Sequence, residues 1–139
     1  DHDVFGLRVD TDGSGGNPEN DPWFQPDTTL HHLGKALNAY KVPFVVLPPA
    51  VIKGVAPVVL GCRAEVRHLR TGKTCVCVVG DVGPTKKLGE LSVAAAKRLG
   101  IPSSPDHGGE DEMVIEYKIW PGIAAVVDGV TYNLQRYAG

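Results

Sequence analysis

The chain has 139 residues, of which 42% are hydrophobic and 22% charged, and its formal net charge is −2. This length suits one domain with a single core and is too short for a second independent core, so we expect one domain over residues 1–139. The apolar residues occur in short runs, which excludes a transmembrane helix, and no basic run is interleaved with aromatic side chains, which argues against nucleic acid as a partner.

The first 30 residues predict an acidic, loop-rich arm. Residues 1–27 contain seven acidic side chains, among them Asp10 and Asp12, and one basic side chain. Such an arm can attract a cationic polymer, or it can be a solvated terminal segment without a specific role. Both interpretations stay open at this point.

The stretch from Asp10 to Gly15 is similar to the start of a calcium loop, with oxygen ligands at alternate positions and glycine at the sixth. Asp21 stands at the twelfth position, where such loops carry a bidentate Glu, and no amphipathic helix flanks the segment. We therefore favour a hydrogen-bonded Asp/Gly turn and predict no metal site and no cofactor.

Segments rich in Val, Ile and Tyr predict strands at residues 42–47, 58–61, 64–69, 74–79, 113–120, 124–127 and 130–134. Gly72 would turn one hairpin, and Asp128-Gly129 is typical of a type I′ turn in another. Thr29 to Leu37 predicts a short helix, and Glu90 to Leu99 predicts a second helix that ends at Gly100. The chain is thus predicted to be mainly β with a few short helices and a core in residues 42–134.

The three cysteines leave two alternatives open. Cys75 and Cys77 are two residues apart in a predicted strand, so they share a face, and Cys62 in the preceding strand could approach one of them. The alternatives are one disulfide with one thiol left over, or three buried thiols that pack as small apolar residues.

The segment from Val78 to Ser92 carries the two residues on which the functional prediction depends. An apolar strand leads into a glycine-rich loop that contains Asp81 and Glu90. Hydrolysis of a glycosidic bond requires two carboxylates, one as proton donor and one as base or nucleophile. The alternative is that Asp81 begins an ordinary turn and that Glu90 is an acid in the first turn of a helix.

The loop reads Gly-Asp-Val-Gly-Pro at 80–84 and Gly-Glu-Leu-Ser at 89–92. This resembles the Gly-Asp-x-Gly-Pro…Gly-Glu-x-Ser block of the endo-chitosanases of glycoside hydrolase family 75. Further stretches resemble that family in the same order, at residues 9–13, 21–25, 27–30, 37–48, 99–102 and 105–109. Val82 stands where the family usually has Thr, whose hydroxyl could orient a carboxylate or a water, and Leu91 and Val93 stand where it tends to have Ala and Tyr.

The resemblance implies an endo-chitosanase that hydrolyses the β-1,4 bonds of chitosan with inversion, Glu90 being the proton donor and Asp81 the base for water. Reasoning from the residues alone leaves the two roles open. The resemblance also implies a substrate-binding set in the groove, namely Asp10, Asp12, Trp23, Gln25, Asp106 and His107. The partner would be chitosan or a related amino-sugar polysaccharide, and we expect a secreted monomer whose signal peptide has been removed.

The strand, loop and following helix also resemble the core of double-psi β-barrels, which expansins, family 45 endoglucanases and rare-lipoprotein-A-type lytic transglycosylases share. This resemblance implies a six-stranded double-psi β-barrel with an open substrate groove. It also supplies two alternatives for function: a lytic transglycosylase or hydrolase that cleaves peptidoglycan, and an expansin-like module that binds polysaccharide without hydrolysis. The stretches at 21–25 and 42–46 favour chitosan, because the transglycosylases lack them.

Overall fold

The computed structural model describes residues 3–12, 27–54, 60–83, 89–102 and 109–137, with β1 described by its backbone. The prediction of a mainly β chain with short helices is confirmed. Along the chain the elements are β1 (Asp3–Asp12), β2 (His31–His32), β3 (Lys35–Ala36), β4 (Phe44–Leu47), α1 (Pro49–Gly54), β5 (Cys62–His68), β6 (Thr74–Val82), β7 (Glu90–Ser92), α2 (Val93–Leu99), β8 (Gly109–Ala124), β9 (Val126–Val127) and β10 (Val130–Thr131).

Six of these strands pair side by side in the order β1-β7-β4-β6-β5-β8, and β8 pairs with β1, so the sheet closes into a barrel. The β1–β7 and β4–β6 pairs are parallel, and the other four pairs are antiparallel. The barrel therefore includes β1, which lies before the first residue of the core predicted at 42–134. Within the described part of the chain, no helix has the length and apolar character needed to cross a membrane.

The core follows the two-residue period of the strands. In β5 the buried side chains alternate with more exposed ones, and the buried set is Cys62, Ala64, Val66 and His68. All four residues of β4 are buried, which indicates that this strand is covered on both faces. Burying a large apolar side chain contributes about 1.5–3 kcal/mol, and Phe44 and Tyr117 are the largest of the fully buried ones.

The three cysteines are free thiols that belong to this core. The Cys77 Sγ lies 3.8 Å from the Cys75 Sγ and donates a hydrogen bond to it. That hydrogen bond lowers the pKa of Cys75, whereas burial raises the pKa of Cys77 well above its ordinary value. The alternative of three buried thiols is therefore the one that the structure adopts.

Two hairpin turns agree with the sequence prediction. The β5 and β6 strands are consecutive and antiparallel, and Asp128 and Gly129 both have positive φ, at 51° and 79°, as a type I′ turn requires. The two terminal guanidinium nitrogens of Arg98 on α2 donate hydrogen bonds to the carboxylate of Asp128, at 2.9 and 2.6 Å. This contact lowers the pKa of Asp128 and ties the last hairpin to the helix.

The predicted helix at 29–37 is wrong, because the segment forms the β2–β3 hairpin. Leu33 and Gly34 have φ values of 53° and 77°, and two successive positive φ values reverse the chain where a helix would need negative ones. Half of the predicted strand at 58–61, residues 58 and 59, lies outside the described residues. In the other half, Leu60 makes an isolated bridge to Gln135 and Gly61 lies in a turn.

The second predicted helix begins three residues later than expected, because Glu90–Ser92 is strand β7. Ser92 is the N-cap of α2, and its hydroxyl accepts a hydrogen bond from the Ala95 N–H at 3.2 Å. The same hydroxyl accepts from the Phe44 N–H at 2.9 Å, so it fixes the helix start against β4. The predicted stop is confirmed, since Gly100 has a φ of 72° and caps the helix.

At Gly80 in β6 the segment that contains the β2–β3 hairpin packs closely against the barrel wall. Its carbonyl accepts the Leu30 N–H at 3.0 Å. A Cβ at this position would lie 2.7 Å from Leu37 Cδ1 and 2.9 Å from Phe44 Cβ. Only glycine therefore lets the two layers approach to this distance.

We expect Gly80→Ala to lower the free energy of unfolding by about 1–3 kcal/mol, since overpacking a filled core has that cost. Urea titration of the purified variant measures it. Leu37→Val removes the δ carbon that the new methyl group meets, so its cost should be smaller in the Gly80→Ala background than in the parent. Strictly additive costs in this double-mutant cycle would contradict the packing explanation.

Candidate active site

Within the described residues, one oxygen of the Asp81 carboxylate accepts three hydrogen bonds. Its Oδ1 accepts from the Thr29 N–H at 3.0 Å, from the Thr29 hydroxyl at 2.9 Å and from the Val82 N–H at 2.9 Å. Donors to a carboxylate stabilise its ionised form. The side chain is half-buried at the end of β6, so Asp81 is a charged group with a fixed orientation.

The segment around Thr29 is itself fixed by its neighbours. The buried Thr28 hydroxyl donates to the Leu30 carbonyl at 2.9 Å and accepts from the Leu37 N–H at 2.8 Å. From the other end of the chain, the Gln135 amide donates to the Thr29 carbonyl at 3.2 Å. These contacts limit the freedom of Thr29 and hence of the carboxylate that it holds.

A β-bulge in β6 decides which residue reaches the site. Val45 pairs with Val79, but the next residue, Val46, pairs with Asp81 and skips Gly80. A bulge adds one residue to one strand and redirects the side chains that follow it. Asp81 rather than Gly80 therefore stands opposite Val46.

Glu90 stands on the other side of the same β4 residue. Val46 pairs with Glu90 of β7, and Glu90 pairs in turn with Asp10 of β1. Because neighbouring strands lie about 4.8 Å apart, the two spacings place the Cα atoms of Asp81 and Glu90 about 10 Å from each other. The backbones of Asp10, Glu90, Val46 and Asp81 thus form one row across four neighbouring strands.

The Glu90 side chain is half-buried and runs beside Gly83, just after the end of β6. A Cβ at Gly83 would lie 3.8 Å from Glu90 Oε1 and 2.9 Å from Val46 Cγ1. The Glu90 carbonyl accepts a hydrogen bond from the Tyr117 hydroxyl at 2.6 Å, which connects the start of β7 with β8. A side chain at Gly83 would therefore collide with Val46 but would only touch the Glu90 carboxylate, which lies at the Asp81 end of the barrel.

An open pocket of about 570 Å³ lies in front of Asp81. Its lining is polar and consists of Asp27, Thr28, Thr29, His31, Asp81 and Gln135. The pocket is large enough for a sugar-sized ligand, since small-molecule sites occupy about 300–1,000 Å³. Glu90 is not one of the lining residues, so a groove shared by Asp81 and Glu90 stays a prediction.

The other residues predicted from the sequence divide into two groups. Asp10 and Asp12 lie in β1, where their backbones pair with Glu90 and Ser92, so this stretch is strand and not the opening of a loop. Four predicted substrate-binding residues lie outside the described residues, namely Trp23, Gln25, Asp106 and His107. In the described ranges, no group of three or more His, Cys, Asp and Glu side chains is placed to hold a metal ion.

Sequence reasoning missed five pocket residues, all of the lining except Asp81: Asp27, Thr28, Thr29, His31 and Gln135. Thr29 and Asp81 are 52 residues apart, and Gln135 and Thr29 are 106 apart. No local pattern in the sequence signals contacts over such separations. Two signals pointed to residues 27–29: the resemblance of the stretch 27–30 to the chitosanases, and the run of three polar residues just before Leu30.

No model of a known protein family matches the chain, and no curated protein matches it either. The likeness to chitosanases therefore remains a prediction from the motifs quoted above.

The hydrogen bond from the Thr29 hydroxyl to Asp81 gives a testable expectation. Thr29→Val keeps the shape of the side chain and removes the hydroxyl, so we expect the free energy of unfolding to fall by about 1.5–3 kcal/mol, the range for a hydrogen bond to a charged group. Thr29→Ser keeps the hydroxyl and should cost less. Equal losses in urea titrations of the two variants would mean that the hydroxyl does not stabilise Asp81.

Proposed function

We propose that the chain is an endo-chitosanase, which hydrolyses β-1,4 glycosidic bonds of chitosan. The observation that carries the proposal is the arrangement of Asp81 and Glu90, the two carboxylates of the chitosanase-like block, on either side of Val46. Inverting glycosidases hold their carboxyl groups about 6.5–9.5 Å apart so that a water fits between substrate and base. A Cα separation of about 10 Å is compatible with that range.

Asp81 is the base in this proposal. Three donors on Oδ1 favour the ionised carboxylate, and a base must be ionised to accept a proton from water. The departure at Val82, where chitosanases usually have Thr, does not leave Asp81 without a hydroxyl donor, because Thr29 provides one. The chain therefore has a means of orienting the base.

Glu90 is the proton donor in this proposal. It lies in β7, two residues before the N-cap of α2, and so outside the first helical turn, where the helix dipole would most favour its ionised form. A proton donor needs the protonated form to persist near the working pH. The strand position is therefore better suited to this role than the helical position predicted from the sequence.

We further propose that the barrel is a double-psi β-barrel. A closed order of six strands with both parallel and antiparallel pairs supports this assignment. Since one fold serves many functions, the barrel alone does not select chitosan over peptidoglycan. The choice of chitosan depends on the motif resemblance and on the acidic pocket, which would attract the ammonium groups of glucosamine.

We expect Asp81→Asn and Glu90→Gln each to lower chitosan cleavage at least 100-fold, since each swap keeps the shape and removes proton transfer, which contributes about 10²–10⁴-fold. Cleavage by the parent and by each variant is measured as the release of reducing sugar from chitosan, chitin and peptidoglycan. Glu65→Gln is the matched control, because Glu65 lies on β5 beside Arg63 and outside the site.

The melting temperatures of both variants should stay close to that of the parent. Near-full turnover by either variant would remove that residue from the mechanism. Cleavage of peptidoglycan but not chitosan by the parent would mean that peptidoglycan is the substrate. Binding of a polysaccharide without any cleavage would favour the expansin-like alternative.

A further inference from the structure

The pocket in front of Asp81 contains a second carboxylate that the proposed reaction does not use. Asp27 lines the pocket and lies just before Thr29, the residue that holds Asp81. No Lys or Arg is among the lining residues. Because two carboxylates and one imidazole are its titratable groups, the pocket favours a cationic ligand.

The Asp27 carboxylate is held on one side. Its Oδ1 accepts the Thr28 N–H at 3.0 Å and lies 2.6 Å from His31 Nε2. Among the described residues, no hydrogen bond or ion pair engages Oδ2. The Asp27 side chain is 66% exposed, so this second oxygen belongs to a fixed carboxylate that a ligand can reach.

His31 and Gln135 fix this arrangement. His31 lies in β2, and the Gln135 side-chain oxygen accepts the His31 N–H at 3.4 Å, while the Gln135 amide donates to the Thr29 carbonyl. One side chain therefore connects the strand that carries His31 with the residue that holds Asp81. These contacts keep Asp27 at a fixed position relative to Asp81, the proposed base.

We propose that Asp27, held by His31, binds the ammonium group of a glucosamine residue next to the bond that is cleaved. The inference rests on the proposed function. An N-acetylated residue carries no charge at the same position, so it would lose the ion pair and leave the Asp27 carboxylate without its partner. Asp27 would then be a residue that selects deacetylated over acetylated substrate.

Asp27→Asn tests the proposal, since asparagine keeps the oxygen that accepts the Thr28 N–H and removes the charge. We expect KM for fully deacetylated chitosan to rise five- to tenfold at low salt, with most of the loss in kcat/KM appearing in KM. The difference from the parent should shrink at high salt, which screens exposed charges, and with chitosans of increasing acetylation. Asp128→Asn makes the same change of charge outside the pocket and should leave KM unchanged.

Binding of a glucosamine hexamer to Asp81→Asn and to Asp27→Asn/Asp81→Asn, measured by calorimetry, separates this inference from the proposed function. If the parent cleaves chitosan and Asp27→Asn alters neither KM nor its salt dependence, the inference is overturned and the function stands. If the parent cleaves no chitosan but hexamer binding still weakens at least fivefold without Asp27, the ammonium site stands and the function fails. Absence of hexamer binding to Asp81→Asn overturns the ammonium site.

Discussion

The hydrogen bonds from Thr29 to Asp81 connect the two parts of the molecule on which the proposed chemistry depends. They join the segment that contains the β2–β3 hairpin to the end of β6, and they fix the orientation of a half-buried carboxylate. Gly80 makes the approach possible, because any side chain there would meet Leu37 and Phe44. The pocket in front of Asp81 exists because this segment is fixed against the barrel at that point.

The contacts that build the site are long-range, and this explains which parts of it the sequence could predict. The Asp128-Gly129 turn and the Gly100 helix stop were predictable, since each depends on the φ preference of one or two residues. The prediction of a helix at 29–37 was wrong because the spacing of polar and apolar residues in this segment fits a helix as well as it fits the hairpin that forms. The positive φ of Leu33, a rare conformation for that residue, could not be read from the sequence.

Asp81 and Glu90 could be selected as candidates from the glycine-rich loop, but their relation in space could not. It depends on the register of β4 with both β6 and β7, and on a bulge that skips Gly80. The partner of Asp81 was also outside sequence reasoning. The motif comparison pointed to a missing hydroxyl at Val82, whereas the structure supplies a hydroxyl from Thr29, far away along the chain.

The stereochemistry of cleavage tests the central proposal most directly, because it reports how Asp81 and Glu90 act on the substrate. Proton NMR of chitosan during the first minutes of reaction distinguishes the two anomers of the new reducing end before they equilibrate. A water activated by Asp81 on the face opposite the leaving group gives the α-anomer first. Initial formation of the β-anomer, or no cleavage at all, would contradict the account.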